Sequence, residues 1–163
     1  MDTATVPRPG LAESIERLDA MPEFLEAAIE AVAPADLGAQ PGPGEFSLVE
    51  HACHLRDLER EGYLVRVRRM LAESEPALEP FDGGAIAAAR DYPSQDARQA
   101  ARDFAAARHE LTRLIAPLTP EQLRREGTFG DRRVCFADVI AMMVGHDAEH
   151  RAEIERLMDF IEE

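Results

Sequence analysis

Residues 41–59 read PGPGEFSLVEHACHLRDLE, and the chain changes character at Ser47. Before it, alternating prolines and glycines exclude regular structure and mark a loop. From Ser47 onward, Ser47 and Glu50 form an S-x-x-E capping box, whose side chains satisfy each other's orphaned backbone donors and open a helix. The spacing carries that helix to about Ala72. His51, His54, Leu55 and Leu58 fall on one flank of it, so His54 points inward or to the edge of a core.

Working outward, the rest of the chain repeats the pattern of helices parted by proline and glycine breaks. Leu11, Ile15, Leu18, Leu25, Ile29 and Val32 predict an amphipathic helix, kinked or divided at Pro22. A long connection, SEPALEPFDGG, follows the second helix, with a short helical piece expected at residues 85–90. Pro93 and Ser94 mark the next start. Ala97, Ala101, Phe104, Arg108, Leu111 and Ile115 give a third helix its stripe. Thr119, Pro120 and Gln122 form another capping box, opening a short turn. The last helix begins near Cys135 or Phe136. It carries two series spaced by sevens: Phe136, Met143, His150, Leu157, and Ile140, Asp147, Ile154, Ile161. A short extended piece near Arg133 and Val134 is the one strand-like feature. The reading is all-α: a four-helix bundle in a single domain, residues 1–163, with a crossover between helices two and three long enough to allow parallel neighbours.

Composition sets limits on function. The net charge is −14, and all 18 basic residues are arginine, which opposes nucleic acid and anionic lipid. There is no apolar run of membrane-spanning length. The first ten residues lack the features of a secretory leader, so the expected location is cytoplasmic. Cys53 and Cys135 make no zinc-finger or CxxC spacing and are read as two reduced thiols.

The last helix holds GHDAEHR, residues 145–151. His146 and His150, four apart, share one face. His150 lies on the apolar stripe and His146 beside it, so both imidazoles need partners inside the bundle. A carboxylate or carbonyl is the plain partner; a metal ion is the functional one. Together with His54, they would make a three-nitrogen site that leaves positions open for water and substrate. His51, one turn before His54, is either an added ligand or hydrogen-bond partner, or a polar residue at a helix start. His109 is off its stripe and is read as a surface residue. The letters also fit H-x-x-E-H, a metalloprotease pattern. Glu149, however, lies about 100° from either histidine around the helix, poorly placed for a base. Asp147 is read either as support for an imidazole or as an ion-pair partner of Arg151.

The two histidine segments, PGPGEFSLVEHACHLRDLE and MMVGHDAEHRAEIERL, resemble those of the DinB/YfiT-like family of small proteins regarded as metalloenzymes. The first is similar to the family's aromatic-Ser-x-x-E-x-x-x-H-L-x-D-x-E segment, with Phe46 where tryptophan is usual. The second is similar to its H-x-x-x-H-R segment. The resemblance implies a four-helix bundle often described as down-up-up-down. It makes His54, His146 and His150 the metal ligands, and it implies a homodimer. Neutral imidazole suits zinc or nickel first, with iron or manganese next. Family activities include thiol S-transfer with bacillithiol- or mycothiol-type cosubstrates. The functional expectation is therefore a metal-dependent transferase or hydrolase acting on a small-molecule electrophile, with a low-molecular-weight thiol as partner. The alternatives are a non-catalytic metal-binding stress-response protein and a bundle with packed histidines and no metal. Arg56, Arg132 or Arg133 would be the cations for an acidic thiol; their plain reading is solvated surface. One departure from the family is Cys135, where a Thr or Ser often caps the last helix. A thiol caps poorly, so the cap must come from elsewhere or the helix start must be irregular.

Overall fold

The computed structural model describes residues 9–163. The reading of the chain's start as leaderless falls largely on residues 1–8, outside the described residues. The first bundle helix is α1 (Leu11–Ala31), which keeps Pro22 inside it. The second is composite: α2 (Leu48–Asp57), a π-helical turn (Leu58–Tyr63) and α3 (Leu64–Ala72). The third and fourth are α5 (Ala97–Ile115) and α7 (Phe136–Glu162). The crossover carries β1 (Ala77–Leu78) and α4 (Gly83–Arg90), and α6 (Pro120–Leu123) follows α5. α5 packs on both α1 and α2, and α7 packs mainly on α1. None of these helices is long and apolar enough to cross a membrane.

The caps explain the helix starts. Ser47 accepts from the Glu50 backbone N–H and the Glu50 carboxylate accepts from that of Ser47, which completes the box. Thr119 and Gln122 do the same for α6. α5 starts later than Pro93–Ser94 suggest. Those residues form a 3-10 turn, and Asp96 is the cap, accepting from the Arg98 and Gln99 backbone N–H groups. For α7 the expectation of a cap from elsewhere fails: Cys135 is itself the N-cap, in a capping box with Asp138, whose carboxylate accepts from the Cys135 backbone N–H at 2.8 Å.

The extended segments exceed expectation. β2 (Glu126–Phe129) and β3 (Arg132–Cys135) form an antiparallel hairpin, and β1 joins β2 in parallel. The tight turn is Gly130–Asp131, with Gly130 at φ +61°. Gly127 lets β1 approach, since a Cβ there would lie 2.7 Å from the Pro76 carbonyl oxygen. Strands of two and four residues carry too short an alternation to read from sequence.

The core has two apolar lobes. One gathers Val67, Leu111, Phe136 and Met143; the other gathers Leu25, Leu48, Phe104 and Leu157. Apart from both lobes lies a polar layer that holds the histidines of α2 and α7 and a buried ion-pair cluster.

Candidate metal centre

The cluster is built around Arg108, which sits on the apolar stripe of α5 and is 1% exposed. Its guanidinium donates to both oxygens of Glu59 at 2.9 Å, to both oxygens of Asp147 at 2.6 and 3.0 Å, and to the Leu18 carbonyl at 2.9 Å. One side chain thus ties α5 to α1, α7 and the π turn. Burial pushes the Glu59 carboxyl up, even against the attraction of Arg108. Asp147 is therefore bound to Arg108, and not to Arg151 as its spacing suggests. Arg151 reaches Glu155 and stacks over the Phe24 ring.

The imidazoles lie alongside. His54 and His150 face each other with ring centroids 4.9 Å apart, and His51 lies 6.0 Å from His150. His146 is close enough to influence the titration of both His54 and His150. Its own Nδ1 is 2.5 Å from the Tyr63 hydroxyl. Phe46 walls the group, with its ring 5.5 Å from His51 and 5.4 Å from His54. Among the described residues, donor atoms of His51, His150 and Glu153 lie within 4.8 Å of one another. Glu153 Oε2 is 3.7 Å from His150 Nδ1 and 4.0 Å from His51 Nε2. His109 and Glu149 are exposed, as their places on the helix circumference predict.

The donor set fits a cation. The Nδ1 atoms of His51, His54 and His150 are buried without a hydrogen-bond partner from the protein, and a buried polar atom calls for one. Burial, reinforced by the neighbouring imidazoles, holds His51 down at about 3 and His54 at about 4. Burial also lowers His150. All three are neutral at pH 7, the form in which imidazole binds a metal.

Those shifts give a testable pH dependence. Unfolded histidine titrates near 6.5, above the folded values of about 3 and about 4. The metal-free fold binds fewer protons than the unfolded chain between these limits, so its stability falls as pH drops from about 6.5 toward 4. His54 contributes on the order of 3 kcal/mol across the full window. Glu59, pushed up, acts in the opposite sense. The clean measurement is the difference in urea midpoint between pH 7 and pH 5 for metal-free wild type and His54→Ala. The wild type should lose more; equal losses would contradict the assigned burial cost.

Two further features close the site. Gly83, at the start of α4, abuts His54: a Cβ there would lie 2.7 Å from the ring's Cε1. Gly83→Ala should push the imidazole aside and weaken metal binding by about ten-fold or more, the scale of losing a ligand's support. A metal titration of the folded variant checks this. On the other side a cleft of about 450 Å3 opens between the 41–46 loop and α7, lined by Glu45, Phe46, His51, Glu153 and Arg156. The cations expected from sequence are elsewhere or engaged. Arg56 is bound to Asp57 and Gln95, Arg133 pairs with Glu126, and Arg132 is exposed on β3. Cys53 is buried, its thiol pushed up to about 11 by burial, and is unsuited to nucleophilic work.

Glu153, Tyr63 and Glu59 were not singled out from the sequence for the site. Glu153 has a readable signal, its place three residues after His150. Tyr63 has none, because a π turn shifts its register.

With this geometry in place, comparison with known proteins identifies the class. Residues 17–154 match the family model described as the DinB superfamily, and the chain belongs to that family. It is 24% identical over 145 residues to a Bacillus subtilis (strain 168) protein named "Putative metal-dependent hydrolase YfiT", covering 88% of this chain and 81% of that one. The solved structure of Bacillus subtilis YfiT, described as "a probable metal-dependent hydrolase with an unusual four-helix bundle topology", superposes with a TM-score of 0.83 at 22% identity. That match covers 96% of this chain and 90% of the other. The four-helix fold expected from the sequence is thereby shown.

Proposed function

We propose that the chain is a metal-dependent enzyme acting on a small electrophile, with hydrolysis as its reaction. His54, His146 and His150 would hold a divalent transition cation, zinc or nickel first. The observation that carries this reading is the set of buried Nδ1 atoms of His51, His54 and His150 without hydrogen-bond partners, beside an open cleft. Such a cation, when held, supplies Lewis acidity and a nucleophile at neutral pH. The chain's own residues supply the rest. Phe46 shields the imidazoles on one side and gives the cleft an apolar wall for substrate. Glu153, at that cleft and within 4.0 Å of both His51 and His150, accepts a proton. The name carried by the YfiT relative agrees with hydrolysis.

Thiol transfer is the second reading. It is favoured by the family resemblance and by Arg156 at the cleft, a cation suited to an acidic thiol. Metal-loaded protein assayed against activated esters and amides, then against electrophiles with bacillithiol, mycothiol or glutathione, separates the two. Failure of every combination leaves metal binding without catalysis. Glu153→Gln is expected to lower kcat by about 10²–10⁴, the range for a lost general base, with metal content unchanged. Loss of metal in that variant would instead make Glu153 a ligand.

A further inference from the structure

Of the imidazoles gathered at the polar layer, His146 differs in having its Nδ1 bonded to a protein side chain. We infer that Tyr63 is the positioning residue of the centre: its hydroxyl fixes the His146 ring so that Nε2 is the nitrogen offered to a cation. This rests on the metal reading above and adds to it a residue that touches neither cation nor substrate.

The geometry is tightly determined. The hydroxyl and Nδ1 are 2.5 Å apart, and the two rings lie 17° from parallel with centroids 6.0 Å apart. Tyr63 is 1% exposed, and the Arg66 guanidinium covers its ring at 5.6 Å. It ends the π turn whose other buried polar residue, Glu59, is held by Arg108. The turn also sets the angle. In an unbroken α-helix, nine residues after His54 would place Tyr63 about 180° away from it. One extra residue taken up by a π turn reduces that to about 80°, so Tyr63 reaches the histidine side of the layer. π turns of this kind occur often at functional sites.

Proton placement follows. An imidazole that gives its Nε2 lone pair to a cation carries its proton on Nδ1, and that buried N–H needs an acceptor. The phenol oxygen is in place to accept. The hydroxyl occupies Nδ1 and leaves Nε2 free for the cation.

The test is Tyr63→Phe, which keeps the ring and removes the hydroxyl. Cobalt titration of wild type and variant should show affinity about 10- to 100-fold weaker in the variant, the usual cost of losing such an outer partner. The cobalt spectrum of the residual complex should shift as well. Wild-type affinity with an unchanged spectrum would overturn the inference. Long-range 15N–1H correlation of the histidines in the zinc-loaded wild type gives a second readout that does not depend on how the variant folds. A proton on His146 Nδ1 supports the inference; zinc on Nδ1 overturns it. A wild type that binds no cobalt at all refutes the metal reading itself, which separates the two failures.

Discussion

Arg108→Ala is expected to destabilise the fold by about 3–5 kcal/mol, the cost of stripping the partner from a buried ion pair. The mechanism is specific. Among the described residues, Arg108 is the cation that bonds both Glu59, which is fully buried, and Asp147. Without it two carboxylates face each other in the core, and the Leu18 carbonyl loses its donor. A second variant isolates charge from packing. Arg108→Met with Glu59→Leu and Asp147→Leu removes the whole cluster and should recover most of the loss, since buried pairs replaced by apolar side chains are often neutral. Urea denaturation of the two variants and the wild type measures this. If Arg108→Ala unfolds at the wild-type midpoint, the cluster does not brace the helices.

The second large effect concerns His150. Its ring lies closest to His54, and its Nδ1 faces Glu153, so it belongs both to the proposed ligand set and to the preformed group with His51. His150→Ala should therefore abolish stoichiometric metal, whichever neighbours complete the coordination, and activity should fall with it. His109→Ala, on the exposed face of α5, is the matched control and should retain full metal content.

The parts of this architecture that were legible in the sequence are those written in side-chain periodicity. Phe136, Met143 and Leu157 are all buried on α7, as their spacing by sevens requires. Ser47 and Glu50 cap α2 as read. Arg108 was readable as inward, because it interrupts an apolar stripe; its partners were not, because they come from α7 and a π turn far away in sequence. That turn is also why Tyr63 escaped notice. A π turn leaves no mark in composition, and it shifts every later residue by about 100°. Of the hairpin, β3 was legible as the extended piece at Arg133 and Val134, but β2 was not, because four residues carry too short an alternation to mark a strand. Asp147 illustrates the limit of local pairing rules. Arg151 stands four residues on, yet a buried guanidinium making two bonds to the carboxylate outcompetes an exposed one.

The family match makes the bundle secure and leaves the chemistry to the site. Buried neutral imidazoles, a carboxylate at the cleft and a phenol behind His146 are the set that a cation would join, and it would give the Nδ1 side of this cluster the partner it has not found among the protein's own groups.

The most direct measurement is elemental analysis of the protein purified without a metal-affinity tag, alongside His54→Ala and His150→Ala. The account predicts one divalent transition metal per chain in the wild type and none in either variant. A wild type without stoichiometric metal, unable to take up zinc, nickel, iron or manganese on dialysis, would contradict it.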